Sequence, residues 1–157
     1  MIEPKFFLRD VIESDLSIFY EDQLDEEANR MVVFTPRDKD AFHQHWQKIM
    51  ADQTLKKQTI VWNGEVAGNV VAFNAADGGR EIGYWIGKKY WGKGIATRAV
   101  ADFLRYETAR PLSAHIAKHN KGSIRVLEKC GFTLVGEDKE FAKAGEKTIA
   151  GVVMRIG

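Results

Sequence analysis

The apolar residues of this chain change their spacing along its length, and each change predicts an element. Phe6-Phe7-Leu8 predicts a first strand, after which Ser14 stands as the cap of a short helix carrying Leu16, Ile18, Phe19 and Tyr20. An acidic stretch, Glu21-Asp22 and Asp25-Glu26-Glu27, leads to Met31-Val32-Val33-Phe34. Beyond Thr35-Pro36, the residues Ala41, Phe42, Trp46, Ile49 and Met50 recur at helical spacing and predict a helical arm. Strands Thr59–Trp62 and Val66–Phe73 flank Asn63-Gly64, two residues that tolerate positive φ, and so predict a hairpin. A turn at Ala75–Gly79 leads into a third strand of this meander, Glu81–Ile86. From Gly92 to about Thr108, the residues Ile95, Ala96, Ala99, Val100, Phe103 and Leu104 share one helical face, with Pro111 beyond. The remainder predicts strand Leu112–Ala117, a short helix Ser123–Cys130 stopped at Gly131, strand Phe132–Val135, a turn at Lys143–Glu146 and a last strand through Ile149, Val152, Val153 and Met154.

Composition narrows what such a chain does. Its 157 residues fit a single domain, 1–157, and 45% hydrophobic content is enough for a core. Lys plus Arg number 23 against 22 for Asp plus Glu, so there is no global field to grip nucleic acid or an anionic membrane; any phosphate site is local. A lone cysteine, Cys130, excludes an internal disulfide framework and agrees with a reducing, cytoplasmic setting. No signal-peptide pattern and no long apolar run predicts secretion or a membrane span. His43 and His45 face different sides of a helix, and no metal site is expected.

The residues with most chemical content are Trp91-Gly92-Lys93-Gly94-Ile95-Ala96-Thr97, set between a strand and a helix. The N-terminus of a helix carries unpaired N–H groups and partial positive charge, and two glycines let a ligand approach the backbone there. Lys93 adds charge and Ala96 keeps the first turn thin, which suits a pyrophosphate. A plain tight turn is the alternative. So is a P-loop-like ATP-dependent enzyme, since Gly87 to Lys93 satisfies the spacing of that motif, but Gly94 stands where a magnesium-binding hydroxyl is needed. The dinucleotide fingerprint fits less well, with Thr97 at its third glycine.

Three segments taken together, Glu81-Ile82-Gly83-Tyr84-Trp85-Ile86, Tyr90 to Thr97 and Asn120 to Phe132, closely resemble the GNAT superfamily of N-acetyltransferases. The branch they resemble most is the ribosomal-protein alanine N-acetyltransferase-like one. The resemblance implies an α/β fold: a mixed, mostly antiparallel twisted sheet of about seven strands, with helices on both faces and a cofactor entering where neighbouring strands splay. It also implies acetyl-CoA as cosubstrate. Gly92 to Thr97 would then hold the pyrophosphate, Tyr84, Trp85 and Ile86 the pantetheine arm, and Asn120 with Ser123 the opposite wall. Trp91 departs from the Gln or Arg common at that position in the broader family.

The implied reaction moves an acetyl group directly to a primary amine, on a protein N-terminus or a small molecule. A protonated amine is not a nucleophile, so a base is required. Glu81 is the first candidate and His115 the second, each with an ordinary solvated or structural role as the alternative. The family's frequent Tyr acid falls here on Leu127, which leaves Ser123 as the candidate donor to the thiolate, or else as a helix cap. Cys130 reads as a packed thiol rather than an acyl carrier. The acidic segment would help select a cationic amine, or form a solvated face. A CoA-binding module without turnover is the alternative from another class. The chain is expected to be a monomer or homodimer.

Overall fold

The computed structural model describes residues 5–157. Seven strands form one sheet in the order β1-β2-β3-β4-β5-β7-β6. They are β1 Phe6–Asp10, β2 Lys56–Trp62, β3 Glu65–Asn74, β4 Arg80–Ile86, β5 Leu112–Ala117, β6 Thr133–Ala144 and β7 Lys147–Ile156. The helices are α1 Leu16–Asp22, α2 Glu26–Val32, α3 Lys39–Ala51, α4 Ile95–Tyr106 and α5 Lys121–Lys129. All pairings are antiparallel except β4 with β5, as expected of a mixed, mostly antiparallel sheet. The Asn63-Gly64 hairpin forms with φ of 51° and 77°. Among the described residues no helix is long and apolar enough to cross a membrane.

Each face of the sheet carries its own core. On one, α4 buries Ile95, Ala99, Val100 and Phe103, and α5 buries Leu127, against Ile60, Val70, Ile82, Leu112 and Met154. Leu127 is fully buried there, so the position of the family's Tyr acid is a packing position in this chain. On the other face, Leu16 and Phe19 of α1 meet Phe42 and Trp46 of α3 over Val66 and Val71. Trp46 of the helical arm is therefore core.

Several local expectations change. Ser14 does not cap α1; it lies within a single 3-10 turn, Glu13–Asp15, and Asp15 closes that turn by accepting from the Ile12 N–H at 3.0 Å. Glu26–Val32 is a helix of its own, capped by Asp25, whose side chain accepts from the Ala28 N–H. The long central helix begins at Ile95 rather than Gly92. The next begins at Lys121, and its cap is Asn120, whose Oδ1 accepts from the Ser123 N–H, so Ser123 is not a cap residue. β6 runs on to Ala144 instead of stopping near Val135, because as an edge strand it shows no simple in-out alternation.

Asp15 joins β1, α1 and β2 at one buried point. Arg9 donates to both its oxygens at 2.7 and 2.8 Å, and the Thr59 hydroxyl donates at 2.7 Å. Burial by itself would raise this carboxyl, but the bonds from Arg9, Ile12 and Thr59 outweigh it and hold the carboxyl below its ordinary value. A lowered acid stabilises the fold above the unfolded-state pKa, and that contribution disappears as pH falls through the folded value. Asp15→Ala should lower the unfolding free energy by about 3 kcal/mol, the low end for breaking a buried pair because Arg9 keeps contact with water. Urea titrations at neutral pH would measure this, and the gap between the two proteins should close in acid.

Candidate active site

The turn from Trp91 to Gly94 owes its shape to two glycines. Gly92 and Gly94 hold φ of 76° and 74°, in the left-handed region that side chains disfavour. The first bond from this turn into α4 runs from the Arg98 N–H to the Gly94 carbonyl at 3.2 Å. The N–H groups of Ile95, Ala96 and Thr97 are thus the orphan donors of the first helical turn, and no side chain caps them. Ile95 itself is a core side chain, so only its N–H faces outward. Trp91 folds back onto β4, its Nε1 donating to the Ile86 carbonyl at 2.9 Å. The preceding 3-10 turn, Lys88–Tyr90, is tied to β3 by the Tyr90 hydroxyl on Glu65 at 2.6 Å.

This turn opens on a cleft of about 410 Å³ that continues between the end of β4 and the start of α5. It brings together Tyr84 to Ile86, Trp91, Gly92, Gly94 to Thr97, Asn120 and Ser123; Lys93 is exposed outside its lining. The cleft exists because β4 and β5 are paired only at Arg80 with Leu112 and Glu81 with Ser113. Beyond those two contacts the strands diverge. The Tyr84 hydroxyl and Ser123 Oγ lie 2.5 Å apart in the gap. Burial pushes the Tyr84 phenol up to about 12, with Ser123 opposing and Cys130 adding to the rise, so the hydroxyl keeps its proton.

Glu81 and His115 lie on the opposite sheet face, outside the lining of this cleft. Opposed residues of neighbouring strands share a face, which puts Glu81, Ser113 and His115 on the side of α1 and α3. His115 Nε2 is 3.2 Å from Glu81 Oε1, and its Nδ1 is 3.2 Å from Asp138 Oδ2 on β6. Burial raises the Glu81 carboxyl above its ordinary range; His115 opposes this, while Asp77 and Asp138 add to it. The two candidate bases are therefore one contact pair.

The structure also reveals walls that sequence reading missed. Ala28, Met31 and Val32 of α2 line the cleft, and their i, i+3, i+4 spacing behind the capping Asp25 was the available signal. α2 is held there by His119, whose Nε2 lies 2.9 Å from the Arg30 carbonyl. In the acidic segment, Asp25 and Glu27 share one cation, Lys88, at 3.7 and 2.7 Å, which offsets part of their charge. Asp138 carried no sequence signal at all.

Comparison with known proteins bears on the same segments. The family model for the acetyltransferase (GNAT) domain matches residues 5–133. An uncharacterized N-acetyltransferase, p20, from Bacillus licheniformis is 32% identical over 84 residues, 49% of this chain and 47% of that protein. YdaF of Bacillus subtilis strain 168, whose name describes it as a ribosomal N-acetyltransferase, is 29% identical over 101 residues, 60% of this chain and 55% of that one. The chain thus spans about half the length of the curated relatives it matches. The fold matches spermidine N-acetyltransferase from Vibrio cholerae in complex with CoA and spermine, with a TM-score of 0.85 at 19% identity over 96% of this chain and 94% of that one. It also matches a GNAT-family acetyltransferase from Bacillus anthracis, with a TM-score of 0.82 at 21% identity over 97% and 94%. With the model spanning the turn, the splayed strands and α5, the chain belongs to the GNAT acetyltransferase family.

Proposed function

We propose that residues 1–157 form one acetyltransferase domain that moves the acetyl group of acetyl-CoA directly to a primary amine. The observation that carries this reading is the set of orphan amides at the start of α4, opening on a cleft that runs to the β4–β5 divergence. Pyrophosphate suits those amides, from Gly92 through Thr97, and the pantetheine arm suits the free edge of Tyr84 to Ile86. No cation is needed to hold the phosphates in this scheme, because the backbone supplies the donors. The relatives' names carry two kinds of acceptor, a polyamine and a ribosomal protein, and the proposal includes both small amines and protein N-termini. Cytoplasm is the assigned compartment, on the strength of the lone Cys130.

In the proposed reaction the amine nitrogen attacks the thioester carbonyl, the new C–N bond forms, and the C–S pair leaves on sulfur. Glu81, with His115, takes the proton from the ammonium. Ser123, backed by the Tyr84 hydroxyl, supplies a proton to the thiolate. Cys130 is held by a bond to the Thr97 carbonyl, and burial raises its thiol, which favours direct transfer over an acetyl-cysteine intermediate.

Incubation with acetyl-CoA and a panel of amines, following free thiol, tests the proposal; tight CoA binding without thiol release on any amine would instead leave a CoA-binding module. With an accepted amine, Glu81→Gln should lower kcat by about 10²-fold, the low end of general-base contributions. Ser123→Ala should lower kcat more than it raises the acetyl-CoA KM. The acid limb of kcat/KM should lie above the ordinary Glu value of about 4.3.

A further inference from the structure

Glu81, His115 and Asp138 come from three different strands, and β7 separates the last two. His115 is opposite Val153 of β7, and Asp138 is opposite Gly151 two residues away, so both side chains lie on the same face and meet diagonally across β7. β6 bends there: its register is irregular between Asp138 and Ala142, and Phe141 lies against Gly151. A Cβ on residue 151 would meet Phe141 at 2.7 Å and the Ile116 carbonyl at 2.8 Å, so only glycine admits this bend. Asp138 is fixed from its own strand by the Glu140 N–H, which donates to Oδ1 at 3.2 Å and leaves Oδ2 for the ring.

A neutral imidazole donates only one hydrogen bond. The Nδ1 contact with Asp138 is aligned for one, whereas the Nε2 contact with Glu81, at the same 3.2 Å, is an approach of charged groups without that alignment. The geometry therefore places the ring proton on Nδ1 and leaves the Nε2 lone pair free beside Glu81. All three side chains are 21% to 35% exposed, so an amine can reach them from solvent. Asp77 acts on Glu81 from the turn before β4.

We propose that Asp138 is a positioning residue that fixes the His115 tautomer, so that the free Nε2 lone pair beside the Glu81 carboxylate serves as a proton acceptor. The unit rests on the acetyl-transfer reading for its use, though not for its geometry. A proton leaving the ammonium is taken up at His115 Nε2 beside the Glu81 carboxylate, the amine lone pair goes into the C–N bond, and the proton then passes to solvent. Asp138 holds Nδ1–H throughout.

Ring ¹⁵N shifts of the full-length chain test this, with His115 identified by its loss in His115→Gln. The neutral His115 ring should carry its proton on Nδ1 in the native protein and move to the Nε2–H form in Asp138→Ala, where Nδ1 has no acceptor. With an accepted amine, Asp138→Ala should also lose about 10²-fold in kcat, in the range of general-base effects, at unchanged acetyl-CoA KM. A native ring protonated on Nε2, or native kcat in Asp138→Ala, overturns the proposal. Because the ring readout needs no turnover, a chain that releases no CoA with any amine overturns the acetyl-transfer reading alone, and the tautomer still decides the role of Asp138.

Discussion

The site depends on how little β4 and β5 touch. β4 has seven register pairs with β3, and β5 has six with β7, so each strand is fully partnered on its outer side. Between them only two pairs remain, at Arg80 and Glu81. That closed end is held by Arg80, whose Nε lies 2.7 Å from the buried carboxylate of Glu107 just past α4; Lys56 from β2 adds a second cation at 3.6 Å. Because the strands are pinned at one end and partnered elsewhere, their divergence is a fixed feature of the sheet. A free strand edge in the middle of a sheet is normally a liability, since its N–H and C=O groups lack partners. Here an extended ligand arm would complete it.

The same opening explains why the chemistry divides between two faces. Side chains alternate along β4, so Tyr84 points to the side of α4 and α5 while Glu81 points to the side of α1 and α3. In the proposed reaction the sulfur needs a proton donor and the amine needs a proton acceptor, and one group cannot be both at once. Two environments on opposite faces meet this need. Burial keeps the Tyr84 phenol protonated and able to donate through Ser123, whereas burial raises the Glu81 carboxyl and His115 opposes that rise. A group's environment, more than its residue type, assigns its role.

Much of this was legible from local sequence. The Asn63-Gly64 turn, the apolar face of α4 and the glycines of its leading turn each depend on residues within a few positions, and each formed where spacing predicts. The cleft residues from Tyr84 to Thr97 with Asn120 and Ser123 came together because whole segments matched a family, which carries long-range register with it. What was illegible depends on distant partners. Ser14 looks able to start a helix, but the chain there is fixed through Asp15, which Arg9 and Thr59, the latter 44 residues farther on, hold in place. Asp138 is one charge in a polar edge strand until β7 sets its register against His115. The length of β6 was hidden for a similar reason, since a strand at a sheet edge has no second neighbour to impose alternation.

The acidic residues show how such distant contacts redistribute function. By composition, the run from Glu21 to Glu27 is the obvious place to attract a cationic amine. In the fold, Asp25 caps α2 and shares Lys88 with Glu27, which ties α2 to the turn before α4. A second pair of carboxylates, Glu81 and Asp138, 57 positions apart, is joined through His115 on the α1 and α3 face of the sheet. Negative charge placed there does two things that a solvated acidic helix cannot. In the proposed reaction it would attract an ammonium to the sheet face behind the splay and, through the shared imidazole, offer that ammonium somewhere to leave its proton. Attraction and deprotonation would then come from the same group of side chains, while the helix that Asp25 caps forms a wall of the cleft on the other face.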